Sequence, residues 1–304
     1  MIRDIPSKED FDAVGSALLD QAWETATSLL LDLDEAYEVE EEEIAEYWQS
    51  ANTRMATALS IAHQGAEFLI KGKIAEVSPL LLIANAPREW PKANSDGDIL
   101  YSQFRTVDAQ DLVRLHDGCA TAPLEKDFKE AFDALRVRRN SIMHTVDRRL
   151  KIHVVELIES ILKIHRSLVP QRDWINARRD ALSESSSVTL FSAEDWVEPR
   201  IVREFSVITD TLSPSAMKEY FGFNKKQRTY ICPNCSWDVL EEYEEEVKTA
   251  QLRPNSGAST SVWCFICTKE EKVLRIDCKE AECPGNVVAP EWGRCLTCGA
   301  DQDR

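Results

Sequence analysis

Apolar residues recur every three or four positions through most of the first 170 residues, a period that predicts amphipathic helices rather than strands. A first helix is expected over 8–33, with Phe11, Val14, Leu18, Ala22, Ala26 and Leu29 on one face. It reads as an appended helix that packs on the bundle or on a partner subunit. The longest helix, about 40–73, keeps the period through Ile44, Tyr47, Trp48, Ala51, Met55, Ala58, Leu59, Ala62, Ala66, Leu69 and Ile70. His63 sits beside that stripe and reads as structural. Between 78 and 106 the period fails, and Pro79, Pro87, Pro91, Asn94 and Gly97 mark a long loop with Leu80 to Ala84 as an apolar plug. A short helix from Asp108 to His116, closed by Gly118, leads to a helix over about 123–143 built on Leu124, Phe128, Phe132, Leu135 and Ile142. Asp147 then caps a helix over 147–168, with Leu150, Val154, Leu157, Ile158, Ile161, Leu162 and Leu168 on one face and His153 and His165 beside or on it. No convincing strand precedes residue 185, so the first half reads as an up-and-down bundle.

The pattern weakens over 171–228, which reads as a partly helical connector. Ser183 to Ser187 is a polar break, Ala193 to Thr211 a candidate helix, and Ser213-Pro-Ser the start of a short helix that ends at Gly222. The organisation expected is therefore an appended helix (1–33), a bundle (34–170), a connector (171–228) and a cysteine-rich module (229–304), in a mainly α chain whose short strands lie near its end.

Charge narrows the functions available. A net charge of -17 argues against coating nucleic acid over a broad surface, which needs clustered cations. The distribution is uneven, however. Asp34 to Glu46 holds eight acids and no base, the composition of a solvated helix start, with repelling RNA or engaging a basic partner as its alternative role. Residues 136–151 hold Arg136, Arg138, Arg139, Arg148, Arg149 and Lys151 against the single acid Asp147. The N-terminal residues lack the apolar core of a signal peptide and no apolar run reaches the length of a membrane span, so a cytoplasmic protein with no membrane partner is expected.

Within that basic stretch Arg139 falls on the apolar stripe itself, four after Leu135 and three before Ile142. A guanidinium there must occupy a polar groove or find a partner, because an unpaired buried charge is costly. His144 follows in the break between this helix and the next, a corner where an Arg and a His can face one phosphate together. The run Arg139-Asn140-Ser141-Ile142-Met143-His144 resembles the Arg-polar-x-x-x-His signature of the HEPN superfamily, helical bundles that often act as metal-independent endoribonucleases. The resemblance covers about residues 34–170 and implies a homodimer whose two motifs converge on one composite groove. It implies His144 as general acid or base while the 2'-hydroxyl attacks the neighbouring phosphate, with Arg139 holding that phosphate and Asn140 orienting the His or a phosphate oxygen. Arg136, Arg138 and Arg148 are then the candidate RNA contacts, and the long loop borders the RNA groove. The products implied are 2',3'-cyclic phosphates, and the implied biology is a toxin or an antiviral defence effector. A non-catalytic dimerisation scaffold is the alternative, and a zinc-ribbon regulator with a helical dimerisation domain is a third reading.

Eight of the nine cysteines lie in the last 73 residues, as Cys232-x-x-Cys235, Cys264-x-x-Cys267, Cys278 and Cys283, and Cys295-x-x-Cys298. Paired spacing without a secretory signal points to metal rather than disulfides. The simplest grouping is Cys232/Cys235/Cys264/Cys267 and Cys278/Cys283/Cys295/Cys298, with an interleaved pairing as the alternative. Four-thiolate shells leave no open coordination position, so two structural zinc ions and no catalytic metal are expected, iron–sulfur being the weaker choice. Pro233 inside the first pair and Gly299 after the last resemble zinc-ribbon knuckles. Strands are expected over Ser261 to Cys264 and Val273 to Ile276, with Trp237, Trp263, Phe265 and Trp292 filling the ribbon interiors. The acidic stretch Glu241 to Glu246 tilts the module toward a regulatory protein partner or self-association. Cys119, the unpaired cysteine, reads as a buried thiol.

Overall fold

A computed structural model describes residues 1–36, 38–144, 151–185, 196–239 and 247–302, with the side chains of 143, 144 and 237–239 outside that description. The chain forms two compact units, Met1–Trp174 and Ile175–Arg304.

The first unit is a helical bundle of α1 (Lys8–Asp34), α2 (Glu41–Val77), α3 (Ala109–Cys119), α4 (Lys126–His144) and α5 (Val154–Leu168). The two longest helices begin where the sequence supplies a capping box. Ser7 Oγ accepts from the Asp10 amide and the Asp10 carboxylate accepts from the Ser7 amide, and Glu43 closes back on the Glu40 amide. The α1–α2 hairpin is antiparallel, since Lys8 pairs with Glu76 at one end and Tyr47 Oη donates to the Leu29 carbonyl near the other. The first helix is thus a full member of the bundle, with Leu19, Ala22, Trp23 and Ala26 wholly buried. Phe11, Ala22, Ala26 and Leu29 are buried as expected, but Gly15 and Leu19 face inward in place of Val14 and Leu18, and Val14 is 44% exposed. The cause is close helix packing. A Cβ at Gly15 would stand 2.7 Å from Leu69 Cγ, and one at Gly65 would stand 3.0 Å from the Gly15 carbonyl. Two glycines let the backbones meet and carry Leu19 into the core.

The segment between α2 and α3 is more ordered than its prolines suggest. It holds 3₁₀ turns at Pro79–Leu82, Pro87–Glu89 and Tyr101–Gln103. A two-residue strand, β2 (Ile99–Leu100), pairs in parallel with β1 (Ile2–Arg3), so the expectation of no strand before 185 is corrected. Such short strands carry no alternation for a sequence reading to detect. Of the apolar plug only Leu82 is fully buried, while Leu80 and Leu81 remain 48% and 39% exposed. The short third helix continues through Gly118, and Cys119 is half-buried rather than buried.

Antiparallel to α2, α4 stacks Phe132 on His63 with ring centroids 5.0 Å apart. His63 is 1% exposed, as a core histidine is. The following helix starts at Val154 rather than at 147, and residues 151–153 are not helical. Asp147, the expected cap, and Leu150 lie outside the described residues. Val154, Leu157, Ile158, Ile161, Leu162 and Leu168 are buried as the pattern predicts. His165 is buried against Trp174, which in turn meets Trp23.

The second unit combines helices with small strands. The expected connector contains α6 (Trp174–Ser183), which the sequence reading did not find and whose first residue belongs to the first unit, and α7 (Val197–Thr211). Next, α8 (Pro214–Phe221) begins on a Ser213 cap and ends at Gly222 with φ +66°, as its sequence predicts. Glu204, fully buried on α7, accepts from both Arg178 and Arg200. After α9 (Pro233–Val239), three antiparallel strands β3 (Ala250–Leu252), β4 (Ser261–Cys264) and β5 (Glu270–Lys272) form one sheet, and β6 (Val288–Ala289) and β7 (Arg294–Cys295) form another. The strand expected over Val273 to Ile276 is reduced to one bridge between Leu274 and Val288, and β5 lies just before it.

Candidate metal centres and the motif helix

The short strands place eight thiols in two groups. Cys232 ends the strand-like run that pairs Tyr230 with Ala250, and Cys235 lies in the first turn of α9. Cys264 closes β4 and Cys267 follows in the turn to β5. The Sγ atoms of these four lie within 4.8 Å of one another, and so do those of Cys278, Cys283, Cys295 and Cys298. The grouping is therefore sequential, not interleaved.

Geometry separates metal from disulfide. Cys232–Cys267 and Cys235–Cys264 stand 3.7 and 3.6 Å apart, and Cys278–Cys298 and Cys283–Cys295 stand 3.7 and 4.0 Å apart. A disulfide needs about 2.0 Å. Four sulfurs around a tetrahedral ion with bonds of about 2.3 Å stand about 3.8 Å apart, which the observed spacings match. Amides also point at the sulfurs: Cys235 donates to Cys232, Glu280 to Cys278, Gly285 to Cys283 and Thr297 to Cys295, at 3.4 to 3.5 Å. Thr249 Oγ1 lies 3.2 Å from Cys264 Sγ, and Gln302 Nε2 donates to Cys278. Such donors favour thiolates.

Without a cation the thiols oppose one another. Hydrogen bonds with Cys232, Cys264 and Cys267, together with burial, hold the Cys235 thiol well above its ordinary range. Burial, with Cys283 and Cys278 adding to it, pushes Cys298 up to about 12. A divalent ion among them would let all four ionise, so the donor set fits a structural metal with a closed coordination shell.

The two centres differ in their surroundings. Three of the first four cysteines are buried, but only Cys295 of the second four. Around the first, Phe265 is 2% exposed and packs 4.7 Å from Phe223, and Arg179 pairs with Glu198 while donating to the Ile266 carbonyl inside the knuckle. Phe265 fills the interior as expected. Trp263 instead stands half-exposed beneath the Arg253 guanidinium, 3.4 Å from its ring centre, and Trp292 is also half-exposed. The side chain of Trp237 and the stretch Glu241 to Glu246 lie outside the described residues. At the second centre the chain makes its closest approach at Gly285, where a Cβ would stand 2.6 Å from Thr297 Oγ1 and 3.0 Å from Cys295 Sγ.

The motif occupies the end of α4. Arg139 is half-buried, its Nη1 donates to Asn140 Oδ1 at 3.1 Å, and no carboxylate pairs with it among the described residues. Its neighbours are engaged. Arg136 donates twice to Asp133 Oδ1, at 2.6 and 3.1 Å. Arg138 reaches Glu156 at 2.6 Å and the Lys151 carbonyl at 3.4 Å. His144 is the last residue of α4 rather than part of a break after it; its side chain, and all of Arg148, lie outside the described residues. The loop expected to border an RNA groove lines, with α3, an open groove of about 750 Å³ among Leu81, Arg105, Val107, Arg114 and Leu115.

Sequence reading missed three supporting residues. Asn52 on α2 accepts from the Ile152 amide at 3.1 Å, a contact spanning 100 positions that no local pattern can announce. Thr249 precedes a strand the pattern did not mark. Gly285 was within reach, because Cys283-Pro284-Gly285 carries a turn signal next to a ligand. No helix among the described residues is long and apolar enough to cross a membrane. Comparison of the chain with protein-family models, with curated proteins and with solved structures finds no match.

Proposed function

We propose that this protein is a metal-independent endoribonuclease of HEPN type, acting as a homodimer on RNA and carrying two structural zinc ions. The observation that supports it is the state of Arg139. It is half-buried at the end of α4 with no carboxylate partner among the described residues, while Arg136 and Arg138 beside it are ion-paired. A half-buried guanidinium with no carboxylate on it among the described residues is suited to a phosphate, and Asn140 orients it. His144, five residues on at the helix end, supplies the acid–base group. It takes the proton from the 2'-hydroxyl or gives one to the leaving 5'-oxygen, and Arg139 offsets the charge developing on the phosphate. Toxicity to the host cell, or defence against a virus, is the biology that follows.

The zinc assignment rests on the tetrahedral sulfur spacings and the all-thiolate donor sets. Each ion would organise its knuckles and leave catalysis to α4. A purified protein containing two equivalents of zinc should cleave RNA to 2',3'-cyclic phosphate and 5'-hydroxyl ends. A substrate with 2'-deoxy sugar at the cleaved nucleotide should resist. Cleavage of that deoxy substrate, or 3'-hydroxyl ends, would sink the mechanism. The pairing of Arg136 and Arg138 favours a second reading, a non-catalytic scaffold whose zinc module recruits a protein, because it removes two of the cations that RNA binding would use.

A further inference from the structure

Arg138 belongs by position to the basic stretch beside the motif, and among the described residues it engages Glu156 and Lys151. Nη1 donates to Glu156 Oε2 at 2.6 Å and Nη2 to the Lys151 carbonyl at 3.4 Å, so one guanidinium joins the end of α4 to the chain entering α5 and to the first turn of α5. One residue further on, the Ile152 amide donates to Asn52 Oδ1 on α2 at 3.1 Å. Ile152 is 3% exposed and Val154 8%, so this entry is also anchored in the core. Three elements, α2, α4 and α5, thus meet at residues 151–156, where the chain returns after the motif. An N–H buried at Ile152 would be costly without its acceptor, so Asn52 holds a place that few residues can fill.

We infer that Asn52 and the Arg138–Glu156 pair are positioning residues that strap the chain returning from the motif against α2 and α4, and that Arg138 is not an RNA contact. The inference rests on the ribonuclease reading for its effect on cleavage, but the strap itself can be measured without it. Arg138 acts through Glu156 and the Lys151 carbonyl, and the registry they impose limits how far the end of α4, with Arg139 and His144, moves from α5.

The test pairs amide hydrogen exchange with kinetics on the full chain. Asn52→Ala should speed exchange of the Ile152 amide about five- to tenfold, as loss of one hydrogen bond does, and Asn52→Asp, which keeps the acceptor, should restore it. Arg138→Glu should lower kcat with little change in KM, and the reversed pair Arg138→Glu with Glu156→Arg should recover kcat. A contact with RNA gives the opposite signature: Arg138→Glu raises KM, flattens the salt dependence, and is not rescued by the reversed pair. That outcome, or an Ile152 amide indifferent to Asn52→Ala, overturns the inference. If the wild-type protein cuts no RNA, the ribonuclease reading fails, and the exchange measurements still decide whether the strap exists.

Discussion

Gly285 offers a single-methyl test of how the second cysteine centre is built. A Cβ added there would stand 2.6 Å from Thr297 Oγ1 and 2.7 Å from Thr297 Cβ, both closer than carbon tolerates, and a tight 3.0 Å from Cys295 Sγ. Rotation of Thr297 cannot relieve the clash, because its Cβ moves only with the backbone. That backbone is the knuckle itself, since the Thr297 amide donates to Cys295 Sγ and the Gly285 amide to Cys283 Sγ. Overpacking of this kind costs about 1–3 kcal/mol. Because the strain falls on the ligand loops it should appear as weakened metal binding, about 5- to 150-fold at 1.4 kcal/mol per factor of ten. Gly285→Ala and wild-type protein, each loaded with two equivalents of zinc, would be titrated with a chromophoric chelator. One equivalent should leave the variant at clearly lower chelator concentration while the other keeps its wild-type profile. Two unchanged equivalents would refute the steric account, and the loss of both together would refute the independence of the centres.

Exposure predicts the order of metal loss in the unaltered protein. The centre of Cys278, Cys283, Cys295 and Cys298 should give up its ion to a chelator, and its thiols to an alkylating reagent, before the centre of Cys232, Cys235, Cys264 and Cys267; mass spectrometry of alkylated peptides reads the order. His165 predicts a pH dependence. Burial, opposed by Asp173, lowers its pKa from 6.5 to about 4, so the folded state keeps it neutral while the unfolded state takes up a proton. Stability present above pH 6.5 is lost as pH falls toward 4, by about 2 kcal/mol between pH 7 and 5, and His165→Phe, which keeps an aromatic ring against Trp174, should remove that slope in urea unfolding. Glu204→Gln leaves the guanidiniums of Arg178 and Arg200 without their buried carboxylate and should lower the stability of the second unit by about 3 kcal/mol. An unchanged urea midpoint would mean that the pair is offset elsewhere.

Much of this was legible along the chain, where physics is local. Helical period fixed α1, α2, α4 and most of α5, and Ser213 with Gly222 marked both ends of α8. Cysteine spacing identified the ligands of both centres, because a CxxC turn brings two thiols to one ion whatever surrounds it. What escaped depends on partners distant in sequence. On α1, Phe11, Ala22, Ala26 and Leu29 were legible, but Gly15 was not, because hydrophobicity favours Val14 whereas the approach of Gly65 selects Gly15. The pairing of Arg138 with Glu156, and the bond from Ile152 to Asn52, join partners 18 and 100 positions apart. Short strands such as β1 and β2 exist through tertiary contact and leave no periodic trace.

On the proposed mechanism, Arg139 and His144 cleave RNA without a catalytic metal. The direct measurement is the cleavage rate of a defined RNA by wild-type, Arg139→Ala and His144→Ala proteins, with EDTA added at mixing and bound zinc quantified alongside. The wild type should cleave in EDTA, and each variant should lose at least about a hundredfold with both zinc ions retained. Equal cleavage by wild type and His144→Ala, or activity that vanishes with EDTA while the zinc stays bound, would contradict it.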